Sequence, residues 1–275
     1  MPEGHTIHRL AREHKRLFGG RTVAADSPQG RFAEGAALIT GSRLTATDAH
    51  GKHLFHRYSR GPRATLGDPW LHVHLGLYGE FRTGRPPAPA PVGAIRLRLT
   101  GERAWTELRG PTACEIVTAA DKAAIQARLG PDPLRADADP ERAWKRISAS
   151  RTEIGRLLMD QEVLAGVGNV YRAEVLFRHG VDPHRHGRDL WHETWLAMWP
   201  DLVALMTEGV RTGRIDTVHD LHTPEAMNRP PRVDDHGGEV YVYRRSAMPC
   251  LICETPVSTE VVAGRNLFWC AHCQI

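Results

Sequence analysis

The succession of apolar and polar positions divides the chain into three kinds of segment. Residues 3–18 set Ile7, Leu10, Ala11, Leu17 and Phe18 at helical spacing and stop at Gly19-Gly20, which predicts an amphipathic helix. From about 21 to 118 the period falls to two. Leu71, Val73 and Leu75 alternate with His72 and His74, and Ile95, Leu97 and Leu99 alternate with Arg96 and Arg98. The Pro-rich stretch GRPPAPAPVG (84–93) between them predicts a loop. This region reads as a β-sandwich with the first helix packed on it. GPDPLRADADP (130–140) is turn-rich and reads as a linker. Beyond it the helical period returns in four places: Trp144 with Ile147, then Ile154, Leu157 and Leu158, then Val170 to Phe177, then a longer run from Trp195 to Met206. Residues 225–238, with Pro230-Pro231, Asp234-Asp235 and Gly237-Gly238, predict a polar loop. EVYVYRR (239–245) predicts a strand.

Composition narrows the class. The chain has 275 residues, room for one large domain or two modest ones. At 41% hydrophobic and 25% charged residues it is too apolar for disorder. No window approaches the roughly 18 consecutive apolar residues of a membrane span, and MPEGHTIHRL lacks the apolar core of a secretory signal. A cytoplasmic protein is expected. The net charge of +4 is unevenly placed: residues 1–118 hold 17 Lys and Arg against 10 Asp and Glu, and residues 119–275 hold 19 against 22. The first half can therefore face a polyanion, although charge alone fits a solvated basic surface equally well. Among 36 basic residues only Lys15, Lys52, Lys122 and Lys145 are lysines. Where Arg is the default cation, a lysine can mark a place that needs an amine.

Three local patterns carry chemistry. Cys250-x-x-Cys253 and Cys270-x-x-Cys273, 16 residues apart, match a four-thiolate zinc ribbon. Four protein ligands leave no open position, so one structural Zn2+ and no catalytic cofactor are expected. Arg265 and Asn266 fall near the tip of the intervening hairpin, where a basic residue suits a phosphate. In LLMDQEVLAGVGNVYRAEVLF (157–177), two apolar helical segments flank a glycine-containing turn, and Asn169 stands at the start of the second. Exposed amides there would suit a phosphate; a plain Asn N-cap explains the pattern as well. At the N-terminus, loss of Met1 would leave Pro2 with a free secondary amine, nucleophilic near neutral pH, and Glu3 beside it to move protons. His72 with His74, and His179 with His184 and His186, could ligate a metal but lack paired carboxylates.

Taken together, MPEG, HGK (50–52), HVHLGLYGEFR (72–82), GPDPL, LLMDQEVLAGVGNVYRAE and GRNLFWCAHC resemble the formamidopyrimidine-DNA glycosylase / endonuclease VIII family of base-excision repair enzymes over nearly the whole chain, and the endonuclease VIII branch more closely. The resemblance implies an α+β multidomain fold. Residues 1–118 would be an N-terminal β-sandwich catalytic domain, 119–140 a linker, 141–238 a helix–two-turn–helix DNA-binding domain and 239–275 a zinc finger. It implies a monomeric bifunctional glycosylase and abasic-site lyase, acting on double-stranded DNA at the bacterial nucleoid, that excises oxidised bases, pyrimidines above all, and cuts the strand by β,δ-elimination. Pro2 would be the nucleophile, Glu3 the proton carrier and Lys52 a phosphate contact that assists catalysis. Asn169, Arg265 and His74 would grip phosphates. Leu77 and Tyr78 would wedge into the space left by the extruded base. Cys250, Cys253, Cys270 and Cys273 would hold zinc.

The chain departs from the family pattern at three places. Thr6 stands where the family has a second glutamate, His5 where it has proline, and Gly76 where endonuclease VIII has glutamine. Two alternatives therefore stay open: an 8-oxoguanine or formamidopyrimidine glycosylase, and a DNA-binding homologue with weakened catalysis.

Overall fold

The computed structural model describes residues 2–61, 63–233 and 238–275. Met1, Asp234-Asp235 and Gly237, all used in the sequence reading, lie outside the described residues. The chain divides into two compact units, one of Pro2 and Thr6–Arg128, the other of Glu3–His5 and Leu129–Ile275.

The first unit is built on eight strands and three helices among the described residues. Helix α1 (Gly4–Phe18) buries Ile7, Ala11 and Phe18, the stripe that its spacing predicts. It ends at Gly20, whose φ of 73° turns the chain out of the helix. The strands are β1 (Thr22–Asp26), β2 (Ser42–His50), β3 (His53–Ser59), β4 (Trp70–His74), β5 (Glu80–Gly84), β6 (Leu97–Thr100), β7 (Trp105–Arg109) and β8 (Ala113–Val117). Helix α2 (Ala33–Ile39) lies between β1 and β2 in sequence. The strand order is β5-β7-β6-β1-β2-β3-β4-β8, every described pairing antiparallel. Strand β1 joins the two halves: Thr22 and Val23 pair with β2, while Ala24, Ala25 and Asp26 pair with β6. Side chains from both halves and from α1 share one core, including Leu44, Leu54, Leu71, Val73, Leu97 and Leu108. Helix α3 (Ala119–Ala127) opens with a reciprocal cap between Thr118 and Asp121, so the segment read as linker begins as a helix.

In β6 the polar half of the alternation does not face water. Arg98 is buried, its guanidinium bonded to Glu107 on the paired strand β7, and Arg109 shares the same carboxylate. Pairing satisfies the charges that burial would otherwise make costly.

The second unit is helical. Helix α4 (Pro140–Ser148) starts from the Asp139 side chain with proline in its first turn. α5 (Ile154–Leu157) is a single turn, shorter than the apolar run predicted. α6 (Asn169–Arg178) and α7 (His192–Thr212) follow, and β9 (Ser258–Val262) pairs with β10 (Arg265–Trp269) in a hairpin. Trp195, Met198, Leu202 and Met206 of α7 pack with Val170, Tyr171 and Leu176 of α6 in one core. No helix among the described residues is long and apolar enough to cross a membrane.

Residues 239–245 are not the strand that their alternation predicts. Their amides are drawn to a buried carboxylate instead of a neighbouring strand. Tyr241, Val242 and Tyr243 donate their N–H groups to Glu174 of α6 at 2.7, 2.9 and 2.8 Å, and the Thr217 hydroxyl donates at 2.6 Å. A fully buried carboxylate needs such donors, and three consecutive amides that bend round one side chain cannot also form a ladder.

Candidate active site

Glu3 is fully buried, and α6 explains why a charge can sit there. The Gly168 and Val170 amides donate to its two oxygens at 2.9 and 2.8 Å. A helix N-terminus presents free N–H groups and a positive dipole end, so it accommodates an anion. Here the anion is a carboxylate of the same chain. The sequence reading offered these amides to a phosphate, and that is corrected: the Glu3 carboxylate takes them. Gly168 is the N-cap and Asn169 the first helical residue, so Asn169 is not the cap either. The cradle needs small residues. A Cβ on Gly168 would lie 2.4 Å from Glu3 Cδ, and one on Gly4 would lie 2.8 Å from Gly166 Cα. The Gly4 amide also donates to Gly166 O at 2.8 Å, locking the N-terminal turn to this loop.

Asn169 is nearly buried and faces away from the cradle. Its Nδ2 donates to Asn266 O at 2.9 Å, and its Oδ1 accepts from Arg172. One Nδ2 hydrogen remains beyond that bond. Arg172 also donates to Asn266 O at 3.1 Å, tying α6 to the start of β10. Burial lowers the Arg172 pKa to about 10. Arg265 follows the Ala263-Gly264 turn, is exposed, and lines an open depression of about 490 Å3 with Arg156, Arg172 and Asp160. Neither Arg156 nor Arg172 is among the expected site residues: Arg156 is one of 32 arginines with nothing to distinguish it, and Arg172 stands in the 157–177 motif, whose expected contact is Asn169 alone.

In the first unit, Lys52 occupies the two-residue turn between β2 and β3, closed by the His50–His53 pair. Gly51 has a φ of 56°, which this tight turn requires of its first residue. His74 ends β4, directly opposite His53. Burial, His72 and the Lys52 charge all lower its pKa. After it Gly76, at φ 68°, begins a turn closed by the Gly79 amide on Leu75 O at 2.9 Å. Leu77 and Tyr78 project from this turn at 51% and 86% exposure, unusual for side chains of this size. Thr6 is half-buried on α1.

The four cysteine sulfurs lie within 4.8 Å of one another, with Cys250 and Cys273 3.9 Å apart and Cys253 and Cys270 3.5 Å apart. Thiolates at about 2.3 Å from a tetrahedral zinc stand roughly 3.8 Å from each other, so the donor set fits this metal. Among the described residues no other His, Cys, Asp and Glu cluster has such geometry.

Three family descriptions match the chain: the formamidopyrimidine-DNA glycosylase N-terminal domain over residues 1–113, its H2TH domain over 129–220, and a zinc finger found in FPG and IleRS over 249–275. Endonuclease 8 1 of Mycobacterium tuberculosis is 50% identical over 281 residues, covering 100% of both chains. The chain belongs to the formamidopyrimidine-DNA glycosylase / endonuclease VIII family. Probable endonuclease 8 2 of Streptomyces coelicolor is 31% identical over 100% of this chain and 94% of its own length. The crystal structure of the MutM (FPG) protein from Thermus thermophilus superposes with a TM-score of 0.75 at 28% identity, over 99% of this chain and 98% of that one. In this glycosylase Cys250, Cys253, Cys270 and Cys273 would hold one zinc through four sulfurs, a ligand set that leaves no open position and would serve to hold the β9–β10 hairpin together.

Proposed function

We propose that this DNA glycosylase removes oxidised pyrimidines from double-stranded DNA through the amine of Pro2 and then cuts the strand by β,δ-elimination. The observation that carries the reading is the buried Glu3 carboxylate, fixed by the Gly168 and Val170 amides one peptide bond from Pro2. With Met1 removed, Pro2 has a secondary amine, a group with a pKa near 7.7–8 and a neutral fraction at physiological pH. Its lone pair attacks C1′ of the extruded nucleotide. The bond from C1′ to the base breaks, and the base leaves with a proton. The amine nitrogen then loses its hydrogen, the C1′–O4′ bond opens with a proton delivered to O4′ by way of Glu3, and an iminium links Pro2 to the sugar. Loss of a C2′ proton expels the 3′ phosphate. A second elimination expels the 5′ phosphate, and water releases Pro2. Lys52 meets the phosphate beside the lesion. Asn169, Arg265 and His74 hold flanking phosphates. Leu77 and Tyr78 fill the vacated stack and offset the few kcal/mol that unstacking costs. Residues 1–118 form the catalytic domain in this reading, with 141–238 and 239–275 holding DNA.

The pyrimidine preference is supported by likeness: the relative named endonuclease 8 is 50% identical, against 27% for the formamidopyrimidine-DNA glycosylase of Prochlorococcus marinus. Borohydride reduction with abasic-site DNA tests the chemistry: the adduct should map to Pro2 in protein whose mass lacks Met1. An adduct on another residue, or a mature chain that retains Met1, rejects the nucleophile. Competing duplexes with thymine glycol, dihydrouracil or 8-oxoguanine test the preference, and faster excision of 8-oxoguanine reverses it.

A further inference from the structure

The face of the β3–β4–β8 sheet turned away from the core carries a line of ionisable side chains that the proposed chemistry leaves unused. His53 Nδ1 lies 2.8 Å from His72 Nε2, and His72 Nδ1 lies 2.9 Å from Glu115 Oε1. The register builds this line, because His53 stands opposite His74 on β4, and His72 stands opposite Glu115 on β8. His72 is buried, stacked on Phe55 at 4.9 Å and on His53 at 5.1 Å, while the Glu115 side chain is 55% exposed. At the other end, His53 follows Lys52 in sequence and packs edge-on against His74 at 4.9 Å.

The line has a direction. An ionised carboxylate only accepts, so His72 must donate from Nδ1. A neutral His72 then accepts at Nε2, so His53 donates from Nδ1 and keeps its lone pair on Nε2. Burial above all, and the repulsion of any positive charge on the groups around it, keep His53 neutral, with its pKa lowered to about 3. Those neighbours are His74 and His72 on β4, His50 on β2 and Arg128 after α3. Lys122 of α3 covers the same face, 5.1 Å above the Phe55 ring and paired to Asp48 at 2.6 Å.

We propose that His53, His72 and Glu115 form a proton relay between the Lys52–His74 corner of the proposed active site and solvent. As a proton arrives at His53 Nε2, the Nδ1 proton passes to His72 Nε2 in the same movement, so the His53 ring stays neutral. His72 releases its Nδ1 proton to Glu115, and Glu115 gives it to water. One proton leaves and each ring exchanges its tautomer; a proton taken in from solvent along the same line restores both rings, so the line serves a site that releases a proton at one step and takes one up at another. His53 and His72 act through the corner and are positioning residues, not groups that touch the substrate. The relay rests on the reading of Lys52 and Pro2 given above.

His72→Gln separates relay from scaffold, because glutamine can accept from His53 and donate to Glu115 but cannot pass a proton. Single-turnover cleavage of abasic-site DNA from pH 5 to 9, with and without added imidazole, is measured beside borohydride trapping. The variant should form the adduct, cleave roughly tenfold slower, below the 10²–10⁴ of direct acid–base catalysis, and recover with imidazole. Glu115→Gln, altered at an exposed position that folding tolerates, should show the same loss with a changed pH profile. Wild-type cleavage in both variants, or a loss that imidazole leaves untouched, overturns the relay alone. Absence of the adduct in the wild-type protein overturns the underlying reading and the relay with it.

Discussion

Gly168 decides where Glu3 can sit. Its hydrogen occupies the space in which a methyl group would meet the carboxyl carbon at 2.4 Å. Gly168→Ala should therefore push the carboxylate off its amides while leaving α6 formed, because alanine suits the extended backbone at this position. Cleavage of lesion DNA should fall about a hundredfold, the scale of a misplacement near 1 Å, with zinc content unchanged and the melting temperature lowered by the loss of the carboxylate's donors. Normal turnover in this variant would show that Glu3 needs no fixed position. A second residue-scale consequence concerns acid. His14 and His56 are buried within 3.1 Å of each other, and burial lowers both pKa values, His14 to about 4. Both stay neutral in the folded unit but take up protons in the unfolded chain below its ordinary value of 6.5. Stability is therefore full above about pH 6.5 and falls as the pH drops toward 4, by about 3 kcal/mol for His14 alone. Urea unfolding of the first unit from pH 7.5 to 4.5 should show this decline, and a flat profile would refute it.

At the scale of elements, legibility followed the range of the interaction. Helix α1, helix α6 and the cysteine knuckles depend on neighbours in sequence, and spacing located them. Residues 239–245 alternate as a strand does, yet their partner is Glu174, up to 69 positions away. Periodicity records which side chains avoid water and says nothing of what the backbone amides bind. Arg98 misled in the same way, because its alternation was real but its outward face was covered by the ion pair with Glu107. The resemblance to a family supplied what periodicity could not, selecting Lys52 and Asn169 by motif, whereas Arg172, inside the same motif as Asn169, was given no role. Glu174→Gln tests the clamp on 241–243. The amide would place an N–H2 group against backbone donors, and the second unit should lose about 3 kcal/mol, read as a lowered melting temperature. A variant as stable as wild type would mean that the carboxylate is dispensable.

For the whole molecule, the cysteine cluster and the proposed DNA contacts are linked through β10. Cys270 follows the strand that begins at Arg265, and Asn266 lends its carbonyl to Asn169 and Arg172. Chelation of zinc, or Cys250→Ser, should release the hairpin and weaken DNA binding at least tenfold, because structural zinc sites contribute folding energy directly. Binding titrations before and after chelation measure this, and full affinity in the zinc-free protein would remove the hairpin from the grip. The uneven charge along the chain takes on a meaning here. The second half is net acidic, so its proposed contacts rest on single placed groups such as Arg265 and not on a general positive field.

The clamp on Glu174 also sets an order of manufacture. When α6 first emerges from the ribosome, the amides that will hold its carboxylate are still 67 to 69 residues from being made. Until they arrive, the helix must keep Glu174 in water or leave a charge stranded. The helical unit therefore cannot close round this carboxylate until residues 241–243 have been synthesised. A stop codon ahead of residue 239 would remove more than a metal site: it would leave Glu174 without the amides that let it be buried.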